Sequence, residues 1–255
     1  LDSHRYVGFM MPEGAGNERR VFADGKANYP GRITMNVTDA LRSRISVRAF
    51  LDDPVETDLI RDILSLACRS PSGGNLQPWK VYVVNGARLS QLKDIIAAKI
   101  KDAPRGEGTE YDIYPPALGE PYLSRRFRNG EQLYKTLGIP REDKSLRREQ
   151  FARNFRFFDA PAALFFSIDR QMGIGQWVDL GMFMQSIMLL AVERGLGTCA
   201  QEAWATWHKT IGEFIGIPEN EMLFAGMALG YPDPEAPVNT LRTERADLSE
   251  IATFL

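Results

Sequence analysis

Histidine and cysteine are scarce in this chain, two of each in 255 residues. With only His4 and His208, a His-rich metal site and a His-centred catalytic triad are both excluded. Cys68 and Cys199 lack metal-ligand spacing, so no zinc, no other metal and no disulfide is expected, and two reduced thiols in a cytoplasmic protein are. No apolar run reaches 18 residues. The longest, Leu180 to Val192, is interrupted by Gln185 and Ser186, which fits a buried helix and no membrane span. Charge of one sign is missing too: 31 Lys and Arg against 33 Asp and Glu leave a net −2. With no basic block of five or more, a nucleic-acid partner is not expected. The opening residues lack the apolar stretch of a signal peptide, and the start at Leu1 instead of Met is read as a trimmed or partial chain. There is no P-loop, no Gly-x-Ser-x-Gly and no HExxH. Gly173-Ile174-Gly175 lacks a third glycine at the right offset and Gly14-Ala15-Gly16 follows no strand, so no dinucleotide fingerprint is found.

What remains is ordinary globular composition, 44% hydrophobic and 25% charged. Residues 1–37 are polar and punctuated by Gly and Pro, and are read as an arm. Residues 38–255 are read as one domain. Thr38 caps a short expected helix to Ser43. Asp53 as N-cap, Pro54 in the first turn and Glu56 closing a capping box then open a second helix, with Leu59, Ile60, Ile63, Leu64, Leu66 and Ala67 at helical spacing. Strands are expected at 79–84, 162–168 and 222–231, and helices at 89–100, 146–155, 178–194 and 206–215. Residues 101 to about 145 show no sustained period, and a lid or insertion is expected at about 101–150. The order suggests an α+β sandwich with helices covering a central sheet.

Four segments carry candidate chemistry. In Arg44-Ile45-Ser46-Val47-Arg48-Ala49-Phe50, strand alternation puts Arg44, Ser46 and Arg48 on one side and Ile45, Val47 and Ala49 on the other. Two guanidinium groups and a hydroxyl suit a phosphate; a half-buried strand with a basic wet face is the plainer reading. The loop Pro71-Ser72-Gly73-Gly74-Asn75-Leu76-Gln77-Pro78-Trp79 lets backbone approach a flat ligand and offers the amides of Asn75 and Gln77. Gly195-Leu196-Gly197-Thr198 ends a buried helix and leads through Cys199 to Ala200-Gln201-Glu202. Cys199 has no nearby base and is read as a core residue, not a nucleophile. Arg242 and Arg245 close the series.

In this order the segments, with Gly230-Tyr231-Pro232 and Arg245 ahead of Leu248, resemble the nitroreductase family of FMN-dependent oxidoreductases. The resemblance runs from about Ala40 to Leu255. It implies a three-layer sandwich with a mostly antiparallel central sheet, in a domain-swapped-style homodimer with FMN bound across the subunit seam. By that resemblance Arg44, Ser46 and Arg245 hold the phosphate and ribityl chain, with Arg242 as a possible aid. Arg48 tunes the flavin from the pyrimidine end. Ser72, Gly73, Asn75 and Gln77 are flavin-contacting loop residues, some of them reaching the partner's flavin. Ala200, Gln201 and Glu202 pass the reactive edge. Ile45 stands where the family often has Arg or His, and Thr243 where some members have Lys.

The implied reaction passes electrons from NAD(P)H through flavin N5 to nitroaromatic or quinone-like planar acceptors, in ping-pong fashion and with no dedicated catalytic side chain. The alternatives are a reductive dehalogenase, other flavin chemistry on this fold, or a non-catalytic flavin-binding protein. Residues 153–161 resemble a subgroup with a long middle insertion. Tyr111, Tyr114, Tyr122, Phe127 and Tyr134 either stack on substrate or pack on the body. Arg125, Arg126 and Arg128 read as a solvated basic face.

Overall fold

Two runs apolar on both faces, Ala162–Asp169 and Glu221–Gly230, lie at the centre of the sheet, as uninterrupted hydrophobic strands must. The computed structural model describes residues 35–255. The expected arm, with Gly14-Ala15-Gly16, lies outside the described residues as far as residue 34. In chain order the elements are α1 (Val37–Ser43), α2 (Thr57–Ala67), β1 (Trp79–Asn85), α3 (Gly86–Lys99), α4 (Tyr122–Thr136), α5 (Lys144–Ala152), β2 (Ala162–Asp169), α6 (Ile174–Glu193), β3 (Gly197–Gln201), α7 (His208–Ile215), β4 (Glu221–Gly230) and α8 (Leu248–Ile251). The strands form one sheet in the order β1-β2-β4-β3, every neighbour antiparallel.

Alternation along β2 and β4 sorts the core into two halves. Leu164, Phe166, Ala225, Met227 and Leu229 meet α2 and α6 on one face. Ala163, Phe165, Leu223 and Ala228 meet α3, α7 and the aromatic turns on the other. Helices on both faces of an antiparallel sheet give the expected three layers. The α2 stripe of Leu59, Ile60, Ile63 and Ala67 is buried as the spacing predicts, while Leu66 is exposed. Among the described residues α6 is the one helix long and apolar enough to cross a membrane. Its inner face, Leu180, Phe183, Ile187 and Ala191, is fully committed to the core under the sheet.

Several boundaries differ from expectation. Asn36, not Thr38, caps α1, its side chain accepting from the Asp39 N–H at 3.0 Å. The capping box at Asp53 does not form: α2 starts at Thr57, with the Glu56 carbonyl accepting from Leu59 and Ile60. Val55 is buried in the core, and pulling it there keeps Asp53-Pro54-Val55 out of the helix. The helix expected at 146–155 is α5, ended by a tight turn over Arg153–Asp159 in which Phe157, Phe158 and Asp159 take φ of 53°, 52° and 68°. Burial of both rings, with Phe157 stacked on Trp204 at 4.3 Å, holds this turn. The segment read as aperiodic contains all of α4, whose apolar residues Leu123, Phe127 and Tyr134 share one face at helical spacing, although no side chain of the helix is buried.

The basic segment 44–50 is not a ladder strand. It lies extended beside β3, joined by a parallel bridge at Ser46–Thr198 and an antiparallel one at Phe50–Pro232. The Val47 N–H donates to the Thr198 carbonyl, and on the opposite edge the Arg48 N–H is taken by the Asn239 side chain at 2.9 Å. Gly197 permits the close approach: a Cβ there would meet Val47 Cγ2 at 2.5 Å. The alternation nonetheless holds, with Val47 buried and Arg44, Ser46 and Arg48 partly exposed.

Candidate functional site

Tethering 44–50 to β3 on one side and to Asn239 on the other brings the two ends of the sequence together. Asn239 Nδ2 donates to the carbonyls of Ala49 and Asp233 at 2.8 and 2.9 Å while its Oδ1 holds Arg48. The result is a cavity of about 330 Å³ whose lining includes Arg42, Arg44, Ile45, Ser46, Arg48, Asn129, Arg242, Thr243 and Arg245. Among the described residues none of its arginines pairs with a carboxylate. Arg48, Arg242 and Arg245 each turn one nitrogen onto a nearby carbonyl, at 3.2, 3.0 and 3.1 Å. Burial, and after it the charge of Arg245, holds the Arg44 guanidinium below its usual pKa. Five like charges converging, with no counter-charge among the described residues, are what a multiply charged anion would neutralise. Sequence spacing indicated the arginines; it gave no sign that Asn239 fastens them or that Asn129 of α4 joins the wall.

One step along β3 the sheet face is uncovered. Ala200 is exposed although its cross-strand partner Met227 is fully buried. Gln201 points to the other face, where its Nε2 donates to the Asn154 carbonyl at 2.8 Å and its buried Oε1 has no partner. Burial raises the Cys199 thiol, with Arg48 and Arg44 opposing, so Cys199 is the inert core residue expected. Glu202 follows, half-buried. A register shift between β2 and β4 at Phe166/Ser167 leaves Phe224 outside the β2 ladder. Phe224, Trp177 and Tyr111 form an aromatic wall with centroids 5.3–5.5 Å apart. The Tyr111 hydroxyl donates to the Phe224 carbonyl at 2.6 Å. Burial, then the nearby Glu202, pushes the Tyr111 phenol well above its usual range.

The 71–79 loop lies elsewhere. It enters β1, at the far edge of the sheet from β3 and at the opposite end from Thr198. Four strand spacings, about 19 Å, separate its edge from the arginine segment. Ser72 Oγ accepts from the Gln77 N–H at 2.9 Å, and the Gly73 N–H donates to the buried carboxylate of Asp179 at 3.2 Å. Asn75 and Gln77 sit at φ of 56° and 51°, a left-handed backbone that the loop's own bonds sustain. One chain therefore gathers Arg44, Ser46, Arg48, Arg242, Arg245 and the Ala200 face at one edge, with Ile45 at the cavity rim. It does not bring Ser72, Gly73, Asn75 and Gln77 to them.

The middle segment divides. Tyr111 packs on the body, whereas Tyr114, Tyr122 and Phe127 are exposed, with Arg126 over the Tyr114 ring at 3.9 Å. Arg125 and Arg128 lie on the solvated face expected of them, where they meet the exposed Glu250 and Glu244 near the C-terminus.

Residues 41–231 match the sequence profile of the Nitroreductase family. The chain is 39% identical over 219 residues to a nitrobenzene nitroreductase of Ectopseudomonas oleovorans, covering 86% of this chain and 96% of that protein. It also resembles the crystal structure of an FMN and NADPH-dependent nitroreductase, NfnB, from Sphigopyxis sp. strain HMH. There the TM-score is 0.84 at 47% identity over 87% of this chain and 99% of that one. The FMN-dependent NfnB of Mycobacterium smegmatis, solved with NADPH, gives a TM-score of 0.81 at 29% identity, over 86% and 97%.

Proposed function

The chain belongs to the nitroreductase family, and from that premise we propose that it is an FMN-dependent oxidoreductase passing electrons from NAD(P)H to nitroaromatic acceptors. The observation that carries this reading is the cavity of five arginines, none paired with a carboxylate among the described residues, opening beside an uncovered sheet face. The residues fit the group. A phosphate suits Arg44, Ser46, Arg245 and Arg242, and a flat ring suits the small side chain of Ala200 flanked by an aromatic wall. When bound, FMN supplies the two-electron relay between donor and acceptor.

The chain's own residues do the rest. Arg44 and Arg245 would hold the phosphorylated tail. Arg48, held by Asn239 and the Ser46 carbonyl, keeps a positive charge near the ring's edge and favours its electron-rich form. The small Ala200 leaves a single open face, which donor and acceptor occupy in turn; this supports ping-pong kinetics. No side chain is needed as a general base.

The site is completed by a second copy of the chain. Ser72, Gly73, Asn75 and Gln77 lie too far across the sheet to reach the group held by their own arginines, and a partner's loop fills that need. The exposed apolar face of α6, with Ile174 and Val178, supports the same dimer. The free thiols of Cys68 and Cys199 support a reducing, cytoplasmic setting.

Purified protein should be yellow with one FMN per chain. NADPH or NADH should bleach it without oxygen, and nitrobenzene should restore the colour. A protein that stays colourless after FMN is supplied would overturn the reading.

A further inference from the structure

We propose that Glu202 selects acceptors by charge, admitting neutral and cationic nitroarenes and turning away those that carry a carboxylate. The inference rests on the function proposed above and names the substrate class of that site. Gln201 is extended, so alternation returns Glu202 to the face on which Ala200 is open. Among the described residues the Glu202 carboxylate has no hydrogen bond and no ion pair, and burial alone pushes its carboxyl up. Tyr111 could have paired with it, but its hydroxyl is already committed to the Phe224 carbonyl. The other neighbours in that wall, Trp177 and Phe224, present apolar rings.

An anion brought beside this half-buried acid must either meet its negative charge or force it to take up a proton, and both weaken binding. A neutral ring stacked on the same wall meets no such repulsion, and an ammonium group relieves the acid. The arginines do not cancel this effect: Arg48 and Arg44 act on Cys199, whereas burial alone acts on Glu202.

The test uses the FMN-loaded enzyme with NADPH and three acceptors of one shape: 4-nitrobenzoate, 4-nitrobenzamide and 4-nitrobenzylamine. The wild type should show kcat/KM at least about tenfold higher for the amide than for the carboxylate, about 1.4 kcal/mol, with the amine no worse than the amide. In Glu202→Gln the amide-to-carboxylate ratio should fall to within about twofold, whatever happens to the absolute rates. Equal efficiency for amide and carboxylate in the wild type overturns the proposal without any variant. A preference that persists in a yellow, FMN-retaining Glu202→Gln protein overturns it as well. Failure of the wild type to retain FMN or to reduce nitrobenzene would show first, and would overturn the functional reading along with this one.

Discussion

Arginines occur in this molecule in two settings. Beside β3, Arg42, Arg44, Arg48, Arg242 and Arg245 line one cavity with no carboxylate partner among the described residues. On α4 and α5, Arg125, Arg128 and Arg147 are matched by Glu250, Glu244 and Glu131 at 2.8, 3.8 and 2.7 Å. The chain has 33 acidic residues for 31 basic ones, so acids were available for both groups. Paired arginines on a surface pin one segment to another and contribute little. Convergent unpaired ones repel each other until an anion arrives. Their persistence therefore identifies the ligand's charge, a stability cost kept for function.

Removing Arg44 should break this contrast most sharply. A charge-assisted hydrogen bond contributes about 1.5–3 kcal/mol, so Arg44→Ala should weaken FMN retention about 10- to 150-fold. Because Arg44 is half-buried and repelled by Arg245, the FMN-free variant should melt no lower than FMN-free wild type. Flavin fluorescence on titration gives the affinity and calorimetry gives the melting point. Wild-type affinity would remove Arg44 from the phosphate site, and a melting point several degrees lower would make it a structural residue. Arg245 is exposed and its field is screened. Arg245→Ala should therefore cost about tenfold in affinity, half a decade or more below the Arg44 effect at its upper end, and the same titration decides it.

The same contrast explains what could be read from sequence. Arg44, Ser46 and Arg48 are close in the chain, and a two-residue period is enough to align them. Their cavity also needs Arg242 and Arg245, some 200 residues away, brought in by Asn239 through side-chain bonds that no periodicity reports. The central strands β2 and β4 and the core helix α6 were legible because burial on all sides demands unbroken apolar runs. Helix α4 was not, since its short apolar stripe of Leu123, Phe127 and Tyr134 is set among charged residues and buries no side chain. The strand expected at 44–50 failed for a related reason: alternation was right, but a side chain of Asn239 took the place of a neighbouring strand.

Arg48 sharpens the comparison from within the unpaired set. It is fixed by its backbone N–H to Asn239 and by its guanidinium to the Ser46 carbonyl, which suits a residue whose charge must be steady. Arg48→Ala should retain FMN and lower its two-electron reduction potential by tens of millivolts, about 30 mV for each tenfold of lost stabilisation. Spectroelectrochemical titration beside a reference dye measures this. Intact binding with an unchanged potential would move Arg48 away from the ring.

The smallest effect belongs to the paired set. Arg125 and Glu250 are both largely open to water, with side-chain exposures of 36% and 52%, where double-mutant cycles give about 0–1 kcal/mol. Arg125→Ala should change FMN affinity and nitrobenzene turnover by less than about twofold and move the melting point by no more than a few degrees. High salt should bring variant and wild type still closer, because screening weakens the surface pair first. A loss of FMN comparable to that of Arg44→Ala would mean that α4 with its Glu250 contact belongs to the cofactor cradle, and that the division between paired and unpaired arginines does not separate scaffold from site.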